Sequence, residues 1–144
     1  MNAIRRCLLW SVMACAALPA LAQNFPNRPI KMIVPFSAGS ATDVVTRLIG
    51  AKLTEAWGQQ VVVDNKPGAS GIIAATAAAK SPADGYTLFS TSNTTQAANP
   101  SLFVTLPYDP VKDFAPVSPL AVAANLLVVN PSLGVSTVKE LIQL

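Results

Sequence analysis

The chain has 144 residues, of which 51% are apolar and only 12% charged, with ten Lys/Arg against seven Asp/Glu and no histidine. Without histidine there is no Ser-His-Asp triad, no imidazole general base and no His/Cys metal site. A net charge of +3 with no cluster of Lys or Arg is too small and too scattered for a nucleic-acid footprint.

Residues 1–22 read as an export signal. Arg5 and Arg6 form the positive start, Cys7 to Leu18 the apolar middle, and Ala20-Leu21-Ala22 before Gln23 the A-x-A cleavage pattern. The apolar run is too short to span a bilayer, so no stable membrane insertion is expected after cleavage. Val12-Met13-Ala14-Cys15 departs from a lipoprotein box, which favours simple secretion over lipidation. Cleavage after Ala22 removes Cys7, Cys15, Arg5 and Arg6, leaving eight basic and seven acidic residues, no thiol chemistry, and a periplasmic destination. The remaining carboxylates (Asp43, Glu55, Asp64, Asp84, Asp109, Asp113, Glu140) show no paired catalytic or calcium-loop spacing. No enzymatic activity is expected.

The first mature element is a short apolar run, Ile30 to Val34, ended by Pro35. A loop of mostly small residues follows (Phe36, Ser37, Ala38, Gly39, Ser40, Ala41), then Thr42-Asp43 and a helical pattern at Val44, Val45, Leu48, Ile49 and Leu53. Strand, small-residue loop and helix open an α/β unit, and such loops lie where open α/β sheets bind ligands. Small side chains let a ligand reach the backbone, and the free N–H groups of the helix's first turn suit an anion, a carboxylate especially. Gly58 is the expected C′ residue.

Val61-Val62-Val63 reads as a second, buried strand ending at Asp64. Asn65 to Gly71 is a turn-rich loop, and the alanine-rich Ile72 to Lys80 is a helix able to pack closely on a sheet. Tyr86 to Ser90 is a third strand. The βαβαβ order predicts a mostly parallel sheet with flanking helices. Thr91-Ser92-Asn93-Thr94-Thr95-Gln96 then supplies uncharged hydroxyl and amide donors, which serve either a carboxylate or the cap of a short helix, Gln96 to Leu102. Pro107 to Phe114 is an ordered surface turn. Ala115 to Ala121 and Leu126 to Val129 read as further strands, and Thr137-Val138-Lys139-Glu140 as a capping box opening a helix.

Five stretches occur in order: Val34–Asp43 (VPFSAGSATD), Val62–Ala69 (VVDNKPGA), Ala83–Leu88 (ADGYTL), Ser92–Pro100 (SNTTQAANP) and Leu106–Phe114 (LPYDPVKDF). Together they closely resemble the Bug family, the extracytoplasmic solute receptors of tripartite tricarboxylate transporters. The resemblance implies the first lobe of a type II, Venus-flytrap periplasmic-binding-protein-like fold over residues 23–129. Residues 130–144 would begin the crossover to a second lobe and stop short of it. It implies capture of a carboxylated small molecule (a di- or tricarboxylate or related organic acid) for the membrane subunits of such a transporter, with no cofactor. The implied ligand-binding positions are Phe36, Ser37, Ala38, Gly39, Ser40, Ala41, Thr42 and Asp43, then Ser92, Asn93, Thr94 and Thr95, acting through backbone N–H groups, waters and hydroxyls. Asp43, an anion, fits a helix-start and water-orienting role better than direct contact. Gln96 stands where many members have histidine, and Ser37 replaces a common proline. Because affinity in two-lobed receptors comes from burial between both lobes, this chain alone is expected to bind weakly or not at all. The alternatives are an inert remnant of such a receptor and an exported α/β hydrolase-like enzyme, the latter lacking a G-x-S-x-G elbow and a base.

Overall fold

The sheet is organised on its central strand, β1 (Ile30–Val34), whose Ile30, Met32, Ile33 and Val34 are all buried. The computed structural model describes residues 24–124 and 126–144; the expected signal segment and its cleavage site lie outside the described residues. A strand that is apolar on both faces is what a parallel sheet covered on both sides requires. β1 pairs in parallel with β2 (Val61–Asn65) from Ile30↔Val61 to Val34↔Asn65, and with β3 (Thr87–Phe89) from Lys31↔Thr87 to Ile33↔Phe89. The order is β2-β1-β3. β2 is therefore an edge strand and not the buried one expected: Val62 is 43% exposed.

The first crossover helix, α1 (Ala41–Trp57), starts on the Ser40 cap and ends at Gly58, whose φ of 65° and N–H bond to Thr54 O mark it as the C′ residue. Its buried positions are Asp43, Thr46 and Gly50, whereas the expected apolar residues Val44 and Leu48 are exposed. Small residues on this face let the helix approach the sheet. A Cβ on Gly50 would stand 3.1 Å from Val61 Cγ1. The second helix, α2 (Ile72–Ala79), uses the same device, with Ala74 and Ala75 fully buried.

The chain leaves β1 toward β2 on one side, then returns past β1 to β3 on the other. That reversal makes a topological switch point between β1 and β3, the place where open α/β sheets form a crevice at their carboxyl ends. Beyond β3 a single π-turn (Thr94–Ala98) runs into a short helix, α3 (Asn99–Leu102). The segment before β1 is strapped to the entry of β3. Arg28 lies 4.1 Å over the Tyr86 ring and pairs with Asp84 at 2.7 Å, while Phe25 packs on the same ring at 4.9 Å.

The two further strands expected at Ala115–Ala121 and Leu126–Val129 are not formed in the described residues. Pro116 and Pro119 remove ladder donors. The β-branched and leucine side chains that suggested strands, among them Val117, Leu120, Leu126 and Val128, are exposed and find no pairing edge among the described residues. The last helix, α4 (Val138–Gln143), has the expected capping box between Thr137 and Glu140.

Candidate functional site

The loop after β1 is held from beneath by a fully buried Pro35 and turns through Gly39, whose φ is 84°. Ser37, Ala38, Gly39 and Ala41 are exposed, Phe36, Ser40 and Thr42 are half-buried, and Asp43 is buried. Ser40 N–H closes a turn onto Ser37 O at 3.1 Å, and Ser40 Oγ accepts from Asp43 N–H at 3.3 Å. The N–H groups of Ala41 and Thr42 precede the first helical bond, Val44 N–H to Ser40 O, and point out of the helix end at the mouth of the crevice.

Asp43 does not face outward. Its Oδ2 accepts from Gly39 N–H (2.8 Å) and Arg47 Nε (3.0 Å), and its Oδ1 from Asn65 Nδ2 (2.9 Å). The Arg47 guanidinium first, then the Gly39 N–H and the Asn65 amide, hold its carboxyl down to about 2 from an ordinary 3.8. Asn65, at the end of β2, also donates to Phe36 O (3.0 Å) and accepts from Arg47 (2.9 Å). One carboxylate and one amide thus fix both ends of the small-residue loop. Its negative charge is matched by Arg47, so the loop mouth carries no unbalanced anion.

The loop after β3 begins with Ser90, whose N–H continues the β1 pairing to Ile33 O (2.9 Å). Thr46 of α1 and Ser90 are both buried, with hydroxyls 2.6 Å apart. Thr46 also donates to Thr42 O at 2.6 Å, which uses its only proton, so Ser90 donates to Thr46. Of the expected residues here, Asn93 is exposed, Ser92 and Thr94 are half-buried, and Thr95 is fully buried. The Thr95 hydroxyl meets those of Thr91 and the carbonyl of Ser92, which makes Thr95 an internal support for the loop. Ser92 Oγ accepts from Thr94 N–H at 3.3 Å, a local turn that ties down the start of the loop.

A third loop joins these two. Gly68, Ala69, Ser70 and Gly71 have φ values of 121°, 46°, 53° and 82°. Gly71 sits so close that a Cβ there would lie 2.5 Å from Thr95 Cγ2 and 3.0 Å from Pro35 Cβ. The loops after β1, β2 and β3 therefore meet at one glycine. Sequence reasoning missed Gly71, Asn65 and the Thr46–Ser90 pair as parts of the site. Only the glycines of the KPGASG turn signalled an unusual backbone.

The crevice offers N–H and hydroxyl dipoles and no Lys or Arg within residues 36–43 or 91–95. It pairs no nucleophile with a base, and among the described residues no three His, Cys, Asp or Glu side chains could hold a metal ion. Uncharged N–H and hydroxyl donors of this kind can donate to a carboxylate.

A family model described as tripartite tricarboxylate transporter family receptor matches residues 45–144. The chain is 44% identical over 127 residues to Protein BugT of Bordetella pertussis, covering 88% of this chain and 39% of that protein. It thus spans about two fifths of that relative's length. Its structure is similar to that of an R. palustris protein solved with adipate, with 45% identity, a TM-score of 0.74, and coverage of 83% of this chain and 40% of the other. It is also similar to MatC from Rhodopseudomonas palustris with bound malate, with 43% identity, a TM-score of 0.64, and coverage of 67% and 33%. The fold is periplasmic-binding-protein-like.

Proposed function

The chain belongs to the tripartite tricarboxylate transporter receptor family, and on that premise we propose that it captures a small dicarboxylate or related organic acid in the crevice between β1 and β3. The family is one of receptors and not of enzymes. The observation that carries the reading is the facing of two uncharged, donor-rich loops across the switch point, one of them ending in the free N–H groups of Ala41 and Thr42. Two similar proteins hold adipate and malate, which are both dicarboxylates.

In this reading the exposed backbone of Ser37 to Thr42 and the groups of Ser92, Asn93 and Thr94 reach the carboxylate directly or through waters, which are adequate partners energetically. Phe36 contributes its place in the loop backbone. Asp43 and Thr95 act from behind, Asp43 by fixing Gly39 and Thr95 by fixing Ser92. The export signal supports a periplasmic site of action, with delivery to membrane subunits of a tripartite transporter. Among the described residues no helix is long and apolar enough to cross a membrane.

A thermal-shift series of the chain with adipate, malate and tricarboxylates, against the matching uncharged amides, tests this. Ligand at 100 times its Kd stabilises a fold by about 2.7 kcal/mol, and at its Kd by about 0.4 kcal/mol. Stabilisation by the acids alone is expected. Equal shifts with acids and amides would refute it.

A further inference from the structure

The proline-punctuated turn after α3 is more heavily bonded than a surface connection needs. Asp109 Oδ1 accepts the N–H groups of Val111 (2.9 Å) and Lys112 (3.0 Å), and Asp113 Oδ2 accepts that of Asp109 (2.7 Å). The turn directs one buried side chain inward, Tyr108. Phe114 packs edge-on against it at 6.1 Å, and Phe89 of β3 stacks on Phe114 at 5.6 Å. The Tyr108 hydroxyl donates to Thr95 O at 2.6 Å and accepts from Asn99 Nδ2 at 3.2 Å. Asn99, fully buried, donates from the same nitrogen to Ser70 O at 3.0 Å. A carbonyl only accepts, which fixes the orientation of this amide.

Backbone bonding in the π-turn explains why Thr95 O needs that hydroxyl. In an α-helix it would accept from Asn99 N–H, but here Asn99 N–H bonds to Thr94 O. Continuing the wider turn would give Thr95 O the N–H of residue 100, which is proline and has none. A buried carbonyl without a donor is costly. Tyr108 supplies the donor, and Asn99 carries the connection on to the strained Ser70 turn.

We propose that Tyr108 and Asn99 are positioning residues that hold the Ser92–Thr95 loop in its ligand-binding geometry, through the Thr95 carbonyl, which Pro100 leaves without a donor in the wider turn. The consequence for affinity rests on the carboxylate reading above; the hold on the loop does not. Tyr108→Phe keeps the ring and removes the hydroxyl. Amide hydrogen exchange on the whole chain is expected to speed up about tenfold for residues 94–98 and to stay unchanged in β1. The Kd for adipate is expected to rise about tenfold, as the loop spends less time in the competent geometry. Adding Pro100→Ala returns an N–H to position 100 and should restore both readouts. Ala75→Gly, which loosens α2, should lower the melting temperature and move neither readout.

Unchanged exchange at 94–98 in Tyr108→Phe would overturn the proposal. So would faster exchange with unaltered affinity, or no recovery on adding Pro100→Ala. If the unmutated chain binds no acid while Tyr108→Phe still speeds exchange at 94–98 and Pro100→Ala reverses it, the hold on the loop stands and the carboxylate reading fails separately.

Discussion

Replacing Gly71 by alanine tests how tightly the three loops meet. The residue has a φ of 82°, where an L side chain costs about 1–2 kcal/mol. Its new Cβ would stand 2.5 Å from Thr95 Cγ2 and 3.0 Å from Pro35 Cβ, distances at which something must shift. Overpacking of this kind costs about 1–3 kcal/mol. The sum, about 2–5 kcal/mol, is a large part of the stability of a small domain. Gly58 provides the internal comparison, because its φ is 65° and nothing lies within 4 Å of an added Cβ. Gly58→Ala carries the backbone cost alone, about 1–2 kcal/mol, and the loss of unfolded-chain entropy is common to both variants. Urea unfolding with an unchanged slope gives the two stabilities directly. Gly71→Ala is expected to lose about 1–3 kcal/mol more than Gly58→Ala. Equal losses would mean that Gly71 is not where the loops are pinned together.

Acid should weaken the fold through Asp43. Its carboxyl is held at about 2, mainly by Arg47, so it stabilises the fold above its unfolded value near 3.8, and that contribution disappears as pH falls from there toward 2. Asp84, Asp109 and Glu140, also lowered by hydrogen bonds from backbone N–H groups, act in the same direction. Melting temperature against pH should therefore fall below pH 4 in the natural chain and less steeply in Asp43→Asn, which should start lower at neutral pH; parallel curves would contradict this. At the buried hydroxyl pair, Thr46→Val removes the acceptor of Ser90 and the donor to Thr42 O, for a loss of about 1–2 kcal/mol. Ser90→Ala leaves Thr46 bonded to Thr42 O and should cost less, and chemical denaturation giving the reverse order would show that the proton assignment is wrong.

Local pattern made β1, its loop and α1 legible, because each feature there is encoded by near neighbours: an apolar run, small residues, a Ser cap and a glycine stop. The same kind of reading mistook the tail. Ala115 to Ala121 and Leu126 to Val129 read as strands, but a strand exists only where another edge accepts its hydrogen bonds, and none of the described residues offers one. α1 shows a milder failure. Its apolar stripe predicted burial of Val44 and Leu48, whereas close approach favoured Thr46 and Gly50, whose size matters more than their hydropathy. Within the site, exposure of Ser37, Ala38, Gly39 and Ala41 followed from small side chains. The burial of Thr95 did not, because it depends on Gly71 and Tyr108, distant in sequence and meeting it only in the fold. Asn65 was hidden for the same reason: its amide serves Phe36 and Asp43, 29 and 22 residues away.

Carboxylate capture in the crevice is tested most directly by a titration of the isotopically labelled chain with adipate, followed by amide chemical shifts, which register even weak binding. Saturable shifts concentrated at residues 37–42 and 92–95, absent with the uncharged adipamide, are the expected result. Shifts confined to other surfaces, or none at any adipate concentration in a chain with a folded spectrum, would contradict carboxylate capture at this site.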